Sequence, residues 1–439
     1  MLFLAVYILL GLIAFPPAIA VIAVGGIFKR DWWDNAMARF GRVPVLAADR
    51  PIVVWCASVG EVNTAQRLIA RLIEANEAPV VVATYTPSGL RRARELFAGK
   101  ATITLAPLDC LNCAVRWVTR LRPRLLLLLE TELWPLTLRI AADNGARLVM
   151  VNGRLSDRSF PRYRWLKFAV RPTLARFDLL CVQTEQFQQR FVQLGASADK
   201  TIVTGSLKFD LSPGATPPDD VAALYNAFCA DRPVIVAGST HEDEERTIGA
   251  ALVALRNEFP DLAAIVAPRH VKRAGQALDD LTAAGCCVVL RSQATAATAR
   301  ESDVLLIDRI GELGWAFGLG QAAFVGGSFA PVGGHNVLEP AVWGVPVLAG
   351  PLTPNFVAEV QALRATGGIA EVADGPALIA KLRELLTDED LRRRMGEAGR
   401  RTLETHRGAT ARTLEQIWAL PMEQPDRKST RLNSSHRIR

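Results

Sequence analysis

From Pro51 onward, short unbroken apolar runs alternate with stretches whose apolar residues recur at helical spacing. In the first half the runs are Ile52–Ala57, Val80–Thr84, Thr102–Ala106, Leu125–Leu129, Arg147–Val151, Leu179–Gln183 and Thr201–Gly205. Continuous rather than alternating runs suit strands buried on both faces of a parallel sheet. Between them, Val62–Glu74 and Arg91–Ala98 carry helical patterns. The rhythm breaks at Asp210–Asp219, where Pro and Gly predict a linker, and a short helical piece follows. It resumes at Val234–Ala237, Ala263–Ala267, Val288–Leu290, Val304–Ile307, Ala323–Gly326 and Val345–Leu348. A repeated strand–helix order in two blocks predicts two doubly wound α/β domains. Ligands of such sheets bind beyond the carboxyl ends of the strands, so with two domains facing each other the cleft between them is the expected site.

Residues 1–28 hold no charged side chain, and the first charges are Lys29 and Arg30. Such a run predicts a membrane anchor. A cleaved signal peptide competes, since Ala18-Ile19-Ala20 resembles a cleavage site, but no Lys or Arg precedes the run. Lys29, Arg30, Arg39 and Arg42 follow it and place the body on the cytoplasmic side. Pro16-Pro17 would kink the helix, so a re-entrant or interfacial segment stays open beside a full span. The expected organisation is an anchor at 1–28, a first Rossmann-like domain at 29–209, a linker at 210–232, a second Rossmann-like domain at 233–420 and a tail at 421–439.

Composition narrows the class. Half of the 439 residues are apolar and 22% are charged, which fits a globular protein and excludes a disordered or collagenous one. The net charge of +7 falls to +2 without the last 13 residues, which hold five basic side chains and no acid. A nearly neutral body argues against a nucleic-acid binder, whose basic excess should be broad. The final stretch has no hydrophobic periodicity and is left out of the fold as a disordered tail or an assembly scar. Seven cysteines are too few for a disulfide framework, and the one C-x-x-C, Cys110 and Cys113, has no second pair at zinc spacing.

Candidate chemistry sits at strand ends. Trp55-Cys-Ala-Ser-Val-Gly-Glu61 ends a strand and starts a helix. Ser58-x-x-Glu61 reads as a capping box; it also reads as a carboxylate at the substrate-facing end of the first strand, with Gly60 leaving room for approach. Glu130-Thr-Glu132 follows the run Leu125–Leu129 and puts two acids where unpaired charge is costly. Asn152-Gly-Arg154 opens a stretch to Arg176 with seven basic residues and one acid, interleaved with Phe160, Tyr163, Trp165 and Phe168. Such a stretch suits an anionic lipid surface or a phosphorylated acceptor, and equally a solvated helix face. In the second half, Ala267-Pro268-Arg269-His270, Asp308-x-x-Gly311-Glu312 and the glycine-rich Gly326–Glu339 follow successive strands. The last is a loop leading into a helix, an arrangement that offers backbone N–H groups to phosphate, and it lacks the dinucleotide fingerprint.

Together these motifs resemble the 3-deoxy-D-manno-octulosonic acid (Kdo) transferases of lipopolysaccharide synthesis. The match runs in order through Ser58-Val-Gly-Glu61, Thr131-Glu-Leu-Trp-Pro135, Asn152-Gly-Arg-Leu-Ser156, Gly205-Ser-Leu-Lys-Phe-Asp210, Ala267-Pro-Arg-His270 and Gly334-His-Asn-Val-Leu-Glu339. The resemblance implies a GT-B glycosyltransferase fold, CMP-Kdo as donor and lipid A precursor (lipid IVA) as acceptor. It also implies an inner-membrane location with the catalytic body on the cytoplasmic side, contact with anionic lipids, and no bound cofactor or catalytic metal. Carried over, Glu61 is the proton acceptor, and CMP contacts fall on Pro268, Arg269, Ile310, Gly311, Glu312, Asn336, Val337, Leu338 and Glu339. Arg269 and the helix after Asn336 would stabilise the departing phosphate, Glu339 would reach ribose hydroxyls, and Lys208 is a secondary candidate for the donor's carboxylate or phosphate. Two rival readings are another membrane-associated GT-B transferase or epimerase, and an anchored lipid-binding protein without turnover.

Overall fold

A computed structural model describes residues 7–9, 37–45, 50–157, 159–214 and 216–421. Apart from residues 7–9 and Pro421, the expected anchor at 1–28 and tail at 421–439 lie outside the described residues. Among the described residues, no helix is long and apolar enough to cross a membrane.

The apolar runs are strands. β1 (Ile52–Cys56), β2 (Val80–Thr84), β3 (Thr102–Leu105), β4 (Leu125–Leu129), β5 (Arg147–Gly153), β6 (Leu179–Val182) and β7 (Thr201–Val203) form one sheet, in the order β3-β2-β1-β4-β5-β6-β7. β8 (Val234–Thr240), β9 (Ala263–Pro268), β10 (Val288–Leu290), β11 (Val304–Leu306), β12 (Ala322–Val325), β13 (Val347–Ala349) and β14 (Ile369–Glu371) form the other, in the order β10-β11-β9-β8-β12-β13-β14. All pairings are parallel, and β1, β2 and β4 are buried along their whole length. Alternate residues of one strand feed two cores. Val53 and Trp55 pack on one face of the first sheet, and Ile52, Val54 and Cys56 on the other. The seven cysteines are all free.

The helices that matter for the site are α1 (Val59–Thr64), α2 (Gln66–Ala75), α3 (Pro135–Asp143), α4 (Asp219–Cys229), α5 (Glu244–Arg256), α6 (Leu338–Ala341) and α7 (Ala409–Trp418). The stretch expected as one helix over Val62–Glu74 is two, separated at Ala65, whose N–H turns back to the carbonyls of Asn63 and Glu61.

The described residues divide into two units, one reaching Leu207 and taking up the chain again from Gly408, the other spanning Lys208–Arg407. This corrects two boundaries. Helix α7, expected in the second domain, packs Ala409 and Ile417 into the core of the first sheet with Leu68, Leu72 and Leu179. Its apolar stripe completes a sheet face that the first 207 residues leave uncovered. Helix α4, expected within the linker, buries Leu224, Tyr225 and Phe228 against Val234 and Val236, so the second unit begins well before residue 233.

Candidate active site

Each sheet has a switch point, where successive strands leave in opposite directions and a crevice opens beyond the carboxyl ends. In the first unit it lies between β1 and β4, and in the second between β8 and β12. The motifs collect at these two places. Of the seven described non-glycine residues with left-handed backbone, Glu130 (φ 57°), Ser239 (φ 56°) and Asp243 (φ 69°) lie there, and Asn152 (φ 58°) lies at the end of the neighbouring β5. Such conformations cost about 1–3 kcal/mol and cluster where function requires them.

In the first unit Glu61 sits in the opening turn of α1, directly after β1, and is 9% exposed. Ser58 is the N-cap and accepts from the Glu61 N–H at 3.3 Å. The Glu61 carboxylate reaches back to accept from the Ala57 N–H at 2.8 Å and the Ser58 hydroxyl at 3.1 Å. The cap therefore exists, and the same contacts fix the carboxylate at the strand end. Burial is the main force on its acidity, aided by the nearby charges of Glu130 and Glu132 and opposed by those two hydrogen bonds; the pKa is pushed up to about 8.

The two neighbours come from the end of β4. Glu130 receives Arg154 Nε at 2.6 Å, a pair that joins the ends of β4 and β5. Glu132 receives the Trp134 indole N–H at 2.7 Å, and burial raises its pKa. Trp134 stacks between Trp55 and Tyr85, with ring centroids 6.1 and 5.0 Å away, so Glu132 is held by a rigid aromatic wall. Three carboxylates thus converge with one arginine. Gly60 is exposed, which leaves backbone bare beside Glu61. Along the basic stretch, Trp165 and Phe168 are 80% and 65% exposed.

In the second unit Arg269 follows β9, and its N–H donates to the Thr240 carbonyl at the end of β8. Its guanidinium is exposed and makes no salt bridge among the described residues. Its charge bears on Glu339, whose carboxylate accepts from the Asn336 side-chain amide at 3.3 Å; burial raises the Glu339 pKa. The helix after Asn336 is only four residues long, so the expected helix-end contribution to phosphate binding is not available there. The Asn336 side-chain Oδ1 is occupied in accepting the Leu338 N–H at 3.2 Å.

In the loop after β11, Ile310 is 85% exposed, and Glu312 binds inward to the Tyr225 hydroxyl at 2.7 Å and Arg291 at 2.9 Å. Lys208 already has partners: it lies 3.4 Å from the buried Glu359 and over the Phe356 ring.

The segment Ser239-Thr-His-Glu-Asp-Glu-Glu245 was missed in the sequence. It holds the switch point of the second unit together. The buried Glu244 carboxylate accepts the backbone N–H groups of His241, Gly327, Ser328 and Phe329 at 2.7–3.0 Å, tying the end of β8 to the glycine loop after β12. Glu245, fully buried, pairs with Arg273 and Thr240. A Cβ on Gly326 would sit 2.7 Å from Glu244 Oε2, and one on Gly327 (φ 68°) would sit 2.8 Å from the His335 ring. The signal was available, since this polar run follows β8 as Glu61 follows β1.

Comparison with known proteins gives the family and the fold. The profile of the 3-deoxy-D-manno-octulosonic-acid transferase (kdotransferase) family matches residues 34–211. The 3-deoxy-D-manno-octulosonic acid transferase of Bordetella pertussis is 34% identical over 399 residues, covering 88% of this chain and 92% of that one. That of Haemophilus influenzae is 32% identical over 368 residues, covering 83% and 86%. Among solved structures, the chain is similar to a glycosyltransferase from Rickettsia africae (11% identity, TM-score 0.54, 84% of this chain and 98% of that one). It is also similar to a UDP-GlcNAc 2-epimerase from Neisseria meningitidis bound to UDP-GlcNAc (14% identity, TM-score 0.56, 84% and 99%). At these identities the structures speak to the fold, two parallel seven-stranded units of the GT-B kind.

Proposed function

The chain belongs to the 3-deoxy-D-manno-octulosonic acid transferase family and is a Kdo-transferring glycosyltransferase; on that premise we propose that CMP-Kdo is the donor, lipid A precursor the acceptor and Glu61 the general base. The observation that carries the reading is the Glu61 carboxylate, buried, oriented by two hydrogen bonds and raised to a pKa of about 8 at the switch point of the first sheet. An acceptor hydroxyl is a weak nucleophile. It needs its proton removed as it attacks the anomeric carbon, and a base whose pKa lies near the operating pH does this best. Burial and the neighbouring acids of this protein supply that tuning. The Ala57 and Ser58 donors keep the carboxylate from rotating out of line.

The donor falls to the second unit. Arg269 is an exposed cation beside a glycine-rich turn, suited to the phosphate that departs with the nucleoside. Glu339, kept in place by Asn336, is suited to ribose hydroxyls, and the loop of Ile310, Gly311 and Glu312 to the base. Pro268, Val337 and Leu338 are backbone neighbours of these groups. Membrane association through residues 1–28, with exposed Trp165 and Phe168 among Arg162, Arg164 and Lys167 touching anionic lipid, completes the reading. The experiment that tests it is mass spectrometry of lipid A precursor incubated with the protein and Kdo in a CMP-activating system. Mass gain of one or more Kdo residues supports the reading; unchanged acceptor with CMP-Kdo, together with transfer from another nucleotide sugar, overturns it.

A further inference from the structure

His241 and His335 have no role in the site so far described. They come from the two sides of the second switch point, His241 after β8 and His335 in the loop after β12. Their Nε2 atoms are 2.8 Å apart, and their ring centroids are 5.1 Å apart with planes 7° from parallel, so the rings meet end to end and nearly coplanar. His270 meets the His241 ring edge-on at 6.1 Å.

We propose that the His241–His335 pair is a proton-coupled anion subsite: it takes up one proton when the phosphate-bearing end of the nucleotide sugar enters beside Arg269. The inference rests on the donor reading above.

The contact itself limits the protonation states. Two imidazole nitrogens at 2.8 Å share one hydrogen; two hydrogens would collide, and two lone pairs would repel. The neutral pair therefore consists of one ring with Nε2–H and one with Nδ1–H. One further proton, taken from solvent, goes to the free Nδ1 of the donor ring and leaves the shared hydrogen bond intact. A second would break it. The pair is built to hold a single positive charge.

The surroundings keep that charge off until an anion arrives. Burial holds both histidines below the usual imidazole range, His335 at about 4; Arg269 and His270, from the end of β9, add to it at both rings, and Arg273, in the turn after, at His241. Glu244, on α5, opposes them and pulls His241 upward. That carboxylate is already spread over four backbone N–H donors. Glu245, its neighbour, is neutralised by Arg273. Glu339 is held by Asn336 and feels the charge of Arg269. A phosphate bound at Arg269 reverses the local sign, and an opposite charge within a few ångströms favours the protonated imidazole. Gly327 lets the arrangement exist, because a side chain there would strike the His335 ring.

The test is isothermal titration of the full chain with CMP at pH 7.5, in two buffers of different ionisation enthalpy. The phosphate of CMP, placed beside Arg269, can only lose a proton on binding, so net uptake must come from the protein. Uptake of about half a proton or more per CMP is expected from the linkage between bound protons and ligand. In His241→Gln and His335→Gln, uptake should fall to near zero while weaker CMP binding persists, and circular dichroism checks that each variant folds. CMP binding to the native protein without proton uptake, or with uptake unchanged in both folded variants, overturns this inference and leaves the donor reading standing. Absence of CMP binding to the native protein overturns both. The native measurement decides even if neither variant folds.

Discussion

The two sheets share a switch point at their first strand and differ in strand order and in chemistry. Each places its first strand next to its fourth or fifth, so each opens a crevice at the same topological position. Beyond β1 and β4 the first unit gathers Glu61, Glu130 and Glu132 and admits one arginine, Arg154. Beyond β8 and β12 the second unit gathers Arg269 and three histidines and turns its acid, Glu244, inward onto backbone N–H groups. Burial, with carboxylates beside it, raises the Glu61 pKa and suits it to be a base; burial, with cations beside it, lowers those of His241 and His335 next to Arg269. The scaffold supplies a position, and the few residues after each central strand decide what that position does.

The contrast breaks most sharply at Glu61. Glu61→Gln keeps an acceptor for the Ala57 and Ser58 donors and serves in a cap as well as Glu does. It cannot take a proton. Turnover should fall by about 10²–10⁴-fold, with CMP affinity unchanged, since the proposed donor site lies on the other unit. Transfer at near the native rate would show that the acidic cluster is structural.

On the other side, Arg269→Ala should weaken CMP binding by about 10- to 100-fold, the value of a charge-assisted phosphate contact of roughly 1.5–3 kcal/mol. The thermal midpoint should hold, because Arg269 is exposed and unpaired among the described residues. Adding a chelator to the assay accompanies this test. Loss of turnover that magnesium restores would mean that side chains alone do not stabilise the departing phosphate.

Stability separates the units in a third way. Glu61 has a folded pKa near 8, above its ordinary 4.5. Through that window the folded state holds a proton that the unfolded chain has released. Stability is therefore full below about pH 4.5, declines as pH rises and stays low above 8. Glu61→Gln removes the decline, so the variant should match the native protein near pH 5 and exceed it near pH 9 by about 1–3 kcal/mol in denaturant melts. A constant difference across that range would place the cost elsewhere.

Much of this comparison was legible in the sequence, and the illegible part has physical causes. Buried parallel strands announce themselves as unbroken apolar runs, and thirteen of the fourteen in the structure coincide with one. The exception, β14, reads Ile-Ala-Glu, with a charged side chain where the other strands continue an apolar run. Glu61 was visible as a carboxylate at a strand end. Its raised pKa was not, because that depends first on burial in the folded unit and then on Glu130 and Glu132 arriving from a strand that is fourth in sequence and adjacent in space. The docking of α7 on the first unit was hidden for the same reason, since helical periodicity gives a face and not a partner. His241 carries no signal of its own in the sequence; only the sheet order brings it to His335, 94 positions away.

The smallest expected effect tests whether the acidic cluster acts as a unit. Glu132→Gln keeps an oxygen for the Trp134 indole, and Trp134 stays wedged between Trp55 and Tyr85, so the wall should not move. What disappears is a negative charge that raises the Glu61 pKa. Removing it makes the Glu61 carboxylate easier to ionise, and the rising limb of kcat/KM against pH should shift to lower pH. Glu132 is the weaker of the two acidic neighbours, behind Glu130, and part of its charge is offset by the indole N–H. The displacement should therefore be a few tenths of a unit and no more than about one. Glu130→Gln is a poorer probe, because it also releases Arg154 and so changes two charges at once. A limb that stays in place in Glu132→Gln, with kcat at high pH unaltered, would show that burial alone tunes Glu61 and that the three carboxylates are neighbours without being coupled.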